Sequence, residues 1–259
     1  GPDVCVDFIE KFLEANKDES FFVYYPMILP HCPFVPTPGT LDYDPNSPGS
    51  PTYKGDAKYF KNMVEHVDQL VGRIASKVDE LGLSENTLIV FTGDNGTDVP
   101  VVTSLNGKSV AGGKGKANHD SGVRTPFFVT MPGTVQAGKV SDELVDFSDL
   151  LPTFCELAKI DTSENKNLDG VSLLPTLIGK GERKKPWSYL FYSRNDATQP
   201  ASSVVVRNAT HLVYRKGGPD KKIEFFDCSI PYARKLQKPS DLSDDERKVF
   251  AELSSVMKR

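Results

Sequence analysis

The chain has 259 residues, of which 38% are hydrophobic, 25% charged and 10% aromatic, the balance of a globular protein with one substantial core and room for a small second one. Collagen-like, coiled-coil and wholly disordered chains are thereby excluded. The 31 Lys and Arg against 35 Asp and Glu give a formal charge of −4, so no broad basic surface is offered to nucleic acid, and no apolar run approaches the ~20 residues of a membrane-spanning helix.

Gly1-Pro2 followed at once by a helical pattern reads as the start of a cut or processed chain. Apolar residues at Val4, Phe8, Ile9, Phe12 and Leu13 predict an amphipathic helix over 4–16. Residues 21–25 (Phe-Phe-Val-Tyr-Tyr) read as a short buried strand that runs into the proline-broken segment around His31. The Pro- and Gly-rich stretch 36–55 has no periodicity and is expected to be a long surface connection. A stripe from Tyr59 to Leu81 predicts a long helix capped by Gly82. Residues 87–91 and 127–131 are expected strands and 147–157 a helix, the rhythm of a layered α/β domain with a largely parallel sheet. After about residue 185 four short strand candidates follow closely (189–192, 203–207, 211–215 and 224–227), predicting an antiparallel sheet closed by a helix over 243–258. The expected organisation is thus an α/β unit over 1–185 and a small α+β antiparallel-sheet unit over 186–259.

In open α/β sheets ligands collect where strands end, which directs attention to polar groups just after the strands. Asp94 and Asn95 follow the strand at 87–91 and offer two adjacent hard oxygen donors, although Gly-Asp-Asn-Gly is equally good turn composition. His31, held between prolines, can donate to an oxyanion or act as a general acid, or be simply solvated. Lys114 among glycines can present an ammonium and backbone amides to a tetrahedral anion, or be an exposed lysine on a flexible loop. It is no nucleotide P-loop, because Gly115 stands where Ser or Thr is required. The cysteines (Cys5, Cys32, Cys155, Cys228) form no CxxC pattern, and four buried thiols are expected in preference to two disulfides.

Taken in order, these blocks resemble the type I sulfatases of the alkaline-phosphatase-like superfamily. The blocks are Phe21-Phe22-Val23-Tyr24-Tyr25 with Pro30-His31-Cys32-Pro33, then Asn86-Thr87-Leu88-Ile89-Val90-Phe91-Thr92-Gly93-Asp94-Asn95-Gly96. Gly113-Lys114-Gly115 with Gly122-Val123-Arg124-Thr125-Pro126 follows, and Asp146-Phe147-Ser148-Asp149-Leu150-Leu151-Pro152-Thr153 with Asp169-Gly170 completes the series. The resemblance runs from about residue 3 to 180. It implies an alkaline-phosphatase-like α/β/α domain and a sulfuric ester hydrolase in which formylglycine attacks sulfur beside one Ca2+. By position it makes Asp94 and Asn95 Ca2+ ligands, has His31 contact the sulfate and leaving-group oxygen, and has Lys114 hold a sulfate oxygen. Asp120 lies six residues after Lys114, where the family spacing is five, so Lys116 stays an alternative.

The nucleophile motif Cys/Ser-x-Pro-x-Arg surrounds none of the four cysteines, and no aspartate pair precedes Phe21. The expectation is therefore the C-terminal portion of a sulfatase, inactive alone, whose substrate is a sulfated small molecule or glycan, with secretion or periplasmic location by resemblance and self-association through exposed apolar surface. Loop 36–55, the region 98–110 and the C-terminal unit are expected to shape specificity. A phosphate-ester hydrolase of the same superfamily and a nucleophile-free module binding sulfated glycans are the alternatives. His66 is read as a helix-surface residue, Arg124 as structural, His119 as undecided, His211 as a residue without a cluster, the sequons at Asn95 and Asn208 as chance matches, and the basic cluster 180–185 as a solvated linker.

Overall fold

The computed structural model describes residues 1–165, 167–192 and 203–257. Its first half is built on two packed helices, α1 (Pro2–Ala15) and α2 (Phe60–Glu80). Val6, Ile9 and Leu13 line the buried side of α1, and Ile9 and Leu13 join Val78 of α2 in a cluster with Phe21, Tyr25 and Ile89. Polar contacts finish the seam: Arg73 reaches Asp7 at 2.6 Å and Glu10 at 2.7 Å. His66 is buried in this seam, with its imidazole 3.2 Å from Asp3, and so is not the surface residue its neighbours in sequence suggest. Gly82, with φ +71°, takes the left-handed conformation that ends α2.

In residues 21–25 Phe21 and Tyr25 pack inward, while Phe22, Val23 and Tyr24 are exposed, so the segment is not the buried run its composition suggests. They form no ladder among the described residues, so the expected strand is chain without a strand partner. β1 (Ile89–Thr92) pairs with β4 (Phe127–Thr130), and the pairing is antiparallel, Ile89 opposite Thr130 and Thr92 opposite Phe127. The expected parallel sheet is therefore absent from the described residues, where the one parallel pairing is an isolated bridge between Phe34 and Gly55. That bridge closes loop 36–55 at its base.

Between β1 and β4 the chain adds a hairpin, β2 (Val102–Leu105) and β3 (Lys108–Ala111). Its turn residues Asn106 and Gly107 both have positive φ, 51° and 77°, the geometry of a tight hairpin turn and the reason Asn-Gly stands there. A single turn, α3 (Asp120–Val123), then leads into β4. The segment 147–157 is a 3-10 turn continued by α4 (Leu150–Leu157), and α5 (Leu174–Leu177) follows.

The basic cluster at 180–185 does not behave as a solvated linker. Arg183 and Lys185 are buried and paired with Asp149 and Asp146, because two carboxylates sealed under α4 require two cations. After it come β5 (Ser188–Tyr192), β6 (Ser203–Arg207), β7 (His211–Lys216), β8 (Ile223–Asp227) and β9 (Lys235–Leu236), a meander in which every strand pairs with the next. The helix α6 (Asp244–Val256) opens on a capping box, Ser243 with Glu246, and Lys258 lies outside the described residues. Val204, Val206, Val213 and Phe225 face Leu253, Val256 and Met257 of this closing segment. Val205, Leu212 and Phe226 face the other way, and both sides of the sheet are covered. His211 stacks on Phe225 with centroids 5.0 Å apart, a packing role. All four cysteines are free thiols, but Cys5 is exposed and Cys155 half-buried, so only Cys32 and Cys228 meet the expectation of burial.

Candidate active site

Asp94 and Asn95 sit on the turn just beyond β1. Asp94 is exposed and Asn95 half-buried, and neither side chain has a hydrogen-bond partner among the described residues. The turn is held by its backbone instead: Gly96 N–H donates to the carbonyl of Gly122 at 2.9 Å. The carbonyl of Thr97, two residues past Asn95, accepts from the amides of both Gly113 and Lys114 at 3.0 Å. This contact brings the Asp94-Asn95 turn and the lysine loop side by side.

Glycine is what permits so close an approach. A Cβ at Gly96 would overlap the carbonyl oxygen of Ser121, one at Gly112 the carbonyl of Asp98, and one at Gly122 the carbonyl of Lys116. Three backbone segments thus cross without side chains between them. Lys114 is half-buried on this crossing, with its ammonium unpaired among the described residues, whereas Lys116 is exposed.

His31 lies on a separate loop, linked to this region through its neighbour Cys32. It is exposed, lies between cis peptides at Pro30 and Pro33, and Nδ1 donates to the carbonyl of Cys32 at 2.6 Å, while Nε2 has no hydrogen-bond partner among the described residues. Cys32 and Phe34 pack with Met63 and with Val101, which follows the Asp94-Asn95 turn. From loop 36–55, Lys54 forms an ion pair with Asp98, and its ammonium lies 3.9 Å from Cys32 Sγ. The Asp98 carboxyl is subject to burial, which raises it, but the Lys54 and Val99 donors hold it below the usual carboxylate range. Lys54 is correspondingly held above its ordinary value by Asp98. Lys54 and Asp98 were not marked by any spacing, since 44 residues separate them.

On the far side of the lysine loop Asp120 is buried and bonded by Arg207, and Arg234 bonds the carbonyl of Asn118. His119 has its pKa lowered by burial and by the nearby Arg234 and Lys116. A cleft of about 110 Å3 opens beside Asn95, walled by Thr97, Val110, Ser121, Arg124 and Tyr232. His31, Asp94 and Lys114 do not line it. Arg124, half exposed, lies over the Tyr232 ring at 5.8 Å.

As for metals, no three His, Cys, Asp or Glu side chains converge among the described residues. Asp94 and Asn95 are uncommitted hard oxygen donors of the type Ca2+ takes, yet two residues are a fraction of its 6–8 oxygen ligands. They fit as part of a shell. No nucleophile motif appears either: Ser229-Ile230-Pro231-Tyr232-Ala233 comes near, but lacks the arginine at its last position, and the Ser229 hydroxyl is bonded to Asp227.

Comparison with known proteins decides the family. The sulfatase profile matches residues 2–160, more than half of the chain. The chain belongs to the sulfatase family. A second profile, N-sulphoglucosamine sulphohydrolase, C-terminal, matches residues 115–229. Among curated relatives, the N-acetylgalactosamine-6-sulfatase of Canis lupus familiaris is 30% identical over 195 residues, covering 74% of this chain and 34% of the relative. The steryl-sulfatase of Homo sapiens is 36% identical over 143 residues, covering 52% of this chain and 24% of the relative. The sulfatase chain thus spans about a quarter to a third of the length of these relatives. The solved structure of Ps i-CgsB superposes with a TM-score of 0.71 at 24% identity, over 99% of this chain and 54% of that one, so the two share a fold. Another superposable structure (TM-score 0.58, 18% identity, 78% of this chain and 40% of that one) was solved with its substrate D-glucosamine-2-N,6-O-disulfate. These relatives are named sulfatases, and none of them favours the phosphate-ester alternative.

Proposed function

We propose that this chain is the portion of a sulfate-ester hydrolase that binds the sulfate group and supplies part of its Ca2+ site. The observation that carries the reading is the double hydrogen bond from the backbone amides of Gly113 and Lys114 to Thr97, which sets the loop of half-buried Lys114, its ammonium unpaired among the described residues, beside the Asp94-Asn95 turn. Lys114 neutralises a sulfate oxygen, and His31, its Nδ1 already donating to Cys32, offers Nε2 to the leaving-group side. The greater burial of Lys114 favours it over Lys116 as the anion-binding lysine. Asp94 and Asn95 contribute oxygen ligands; the ion, when bound, draws negative charge from the sulfuryl oxygens. The nucleophile, formylglycine in this family, has no motif in this sequence, so the chain alone is expected not to turn over p-nitrophenyl sulfate.

The substrate class proposed is a sulfated carbohydrate or aryl sulfate, in line with relatives named for aryl, steryl and amino-sugar sulfates and with a structural neighbour solved with a neocarrahexaose. Residues 1–185 and 186–259 are taken as two units, and a secreted or periplasmic location is part of the same reading. Exposed Phe22, Tyr24 and Ile28 support self-association, which sedimentation across a concentration series checks. The deciding experiment is calorimetric titration of the chain with inorganic sulfate, with and without Ca2+. Binding that falls at least about tenfold in Lys114→Ala but not in Lys116→Ala is expected. Equal affinity in wild type and Lys114→Ala overturns the assignment.

A further inference from the structure

The loop that carries Lys114 is not held by the α/β layer alone. Its first residues hang from Thr97, but from Ala117 onward it lies on the C-terminal sheet. Ala117 packs on the face formed by Val205, Leu212, Phe226 and Cys228. Arg234 Nη1 donates to the carbonyl of Asn118 at 3.1 Å. Asp120, buried, divides its carboxylate between two donors: Oδ1 accepts from Arg207 Nη1 at 2.8 Å and Oδ2 from the backbone N–H of Tyr232 at 3.0 Å. Arg207 is fixed in turn, with Nε donating to Asn208 O at 3.3 Å and Nη2 lying 3.7 Å from Cys228 Sγ.

We propose that Arg207, acting through Asp120, is a positioning residue for the Lys114 ammonium, so that the C-terminal sheet sets the affinity of the site for a tetrahedral anion. The inference rests on the reading of Lys114 as the anion-binding lysine. Between Gly113 and Gly122 the backbone runs as three linked turns, Lys116 N–H to Gly113 O, His119 N–H to Lys116 O, and Gly122 N–H to His119 O. Each turn shares a residue with the next, so a displacement of Asp120 is passed back toward Lys114. Gly115, at φ +86° with open space around it, adds no side-chain restraint. Rigidity must then come from the two ends, Thr97 at one and Asp120 at the other. An arginine fork bonds in three directions from one planar group, which a lysine does not. Loss of the half-buried Arg207 leaves the buried Asp120 carboxylate without its close ion-pair partner, a charge that the loop must move to solvate.

The test uses the whole 259-residue chain, 15N-labelled, as wild type and as Arg207→Gln, Arg207→Lys and Asp120→Asn. Amide exchange is read at Lys116, His119 and Gly122, and the Lys114 amide shift is followed during titration with inorganic sulfate. Arg207→Gln is expected to raise loop exchange about tenfold or more, leave Val213 in β7 unchanged, and weaken sulfate binding about tenfold, with partial rescue in Arg207→Lys. Asp120→Asn keeps shape and tests the same link should Arg207→Gln fail to fold. Unchanged loop exchange, an equal rise at Val213, or a looser loop with undiminished sulfate affinity each overturns the proposal. A wild-type chain whose Lys114 amide ignores sulfate removes the lysine assignment itself, and the exchange data then describe an anchored loop with no anion to position.

Discussion

The guanidinium of Arg183 lies 2.7 Å from the carboxylate of Asp149, and both side chains are sealed from water. Asp149 also accepts the amides of Asp146 and Val171, while Lys185 stands 3.0 Å from Asp146. Two anions and two cations balance in one buried group. Arg183→Met leaves an unbalanced carboxylate there and is expected to cost about 3–5 kcal/mol. Urea denaturation measures it; a loss under about 1 kcal/mol, the size of an exposed pair, says that the group is open to water.

The crossing under Lys114 separates two kinds of glycine. Gly112 has no room, so Gly112→Ala is expected to cost about 1–3 kcal/mol and to shift the Thr97 and Lys114 amide resonances. Gly115 has room but a left-handed backbone, which asparagine tolerates, so Gly115→Asn should stay within about 0.5 kcal/mol of wild type. Thermal unfolding of both variants gives the comparison. Equal losses at the two positions would mean that the close approach is not what selects glycine.

Much of this could be read from the chain. Helices α1, α2 and α6 follow from periodicity because each buries one regular face, and strands β5 to β8 from short apolar runs set close together, buried on both faces of the sheet. The hairpin at 102–111 carries a local signal, Asn106-Gly107, but its strands are largely exposed and show no apolar alternation that would mark them. Residues 21–25 have the composition of a strand, but a ladder needs a partner, and composition does not supply one. Of the proposed site, His31, Asp94, Asn95 and Lys114 stand in the sequence as an ordered series. The contacts that join them, Lys54 with Asp98 and Arg207 with Asp120, were not, since each links distant residues whose types are common on surfaces. The same limit hid the burial of Arg183 and Lys185.

Tyr232 occupies the left-handed region at φ +62°, a conformation that disfavours an aromatic residue, and its N–H is bonded to Asp120. Tyr232→Asn relieves the backbone and keeps that N–H. A gain of about 1 kcal/mol in stability is expected, read as a raised denaturation midpoint. A lowered midpoint would show that ring contacts, including that with Arg124, outweigh the strain.

His119 faces Arg234 and Lys116, with Asp120 the opposing charge, and burial is the first cause of its depressed pKa. As pH falls, the unfolded chain binds the proton before the folded one does. Stability is therefore full above the ordinary histidine value of 6.5 and declines below it until the folded group also titrates. Unfolding free energies measured between pH 8 and 5 should show this slope in wild type and a shallower one in His119→Gln, over a range of about three pH units. Parallel slopes in the two proteins would place the titration elsewhere.

The meander β5–β9 joins each strand to its neighbour in sequence, so it forms from short-range contacts. Asp120, by contrast, waits for Arg207 and Tyr232, 87 and 112 positions downstream. The lysine loop is made before these partners, and it cannot take its final shape until the segment from Arg207 to Tyr232 has been made. Loss of the strands that carry Arg207 and Tyr232 is therefore expected to loosen the lysine loop while α1 and α2 stay packed on each other.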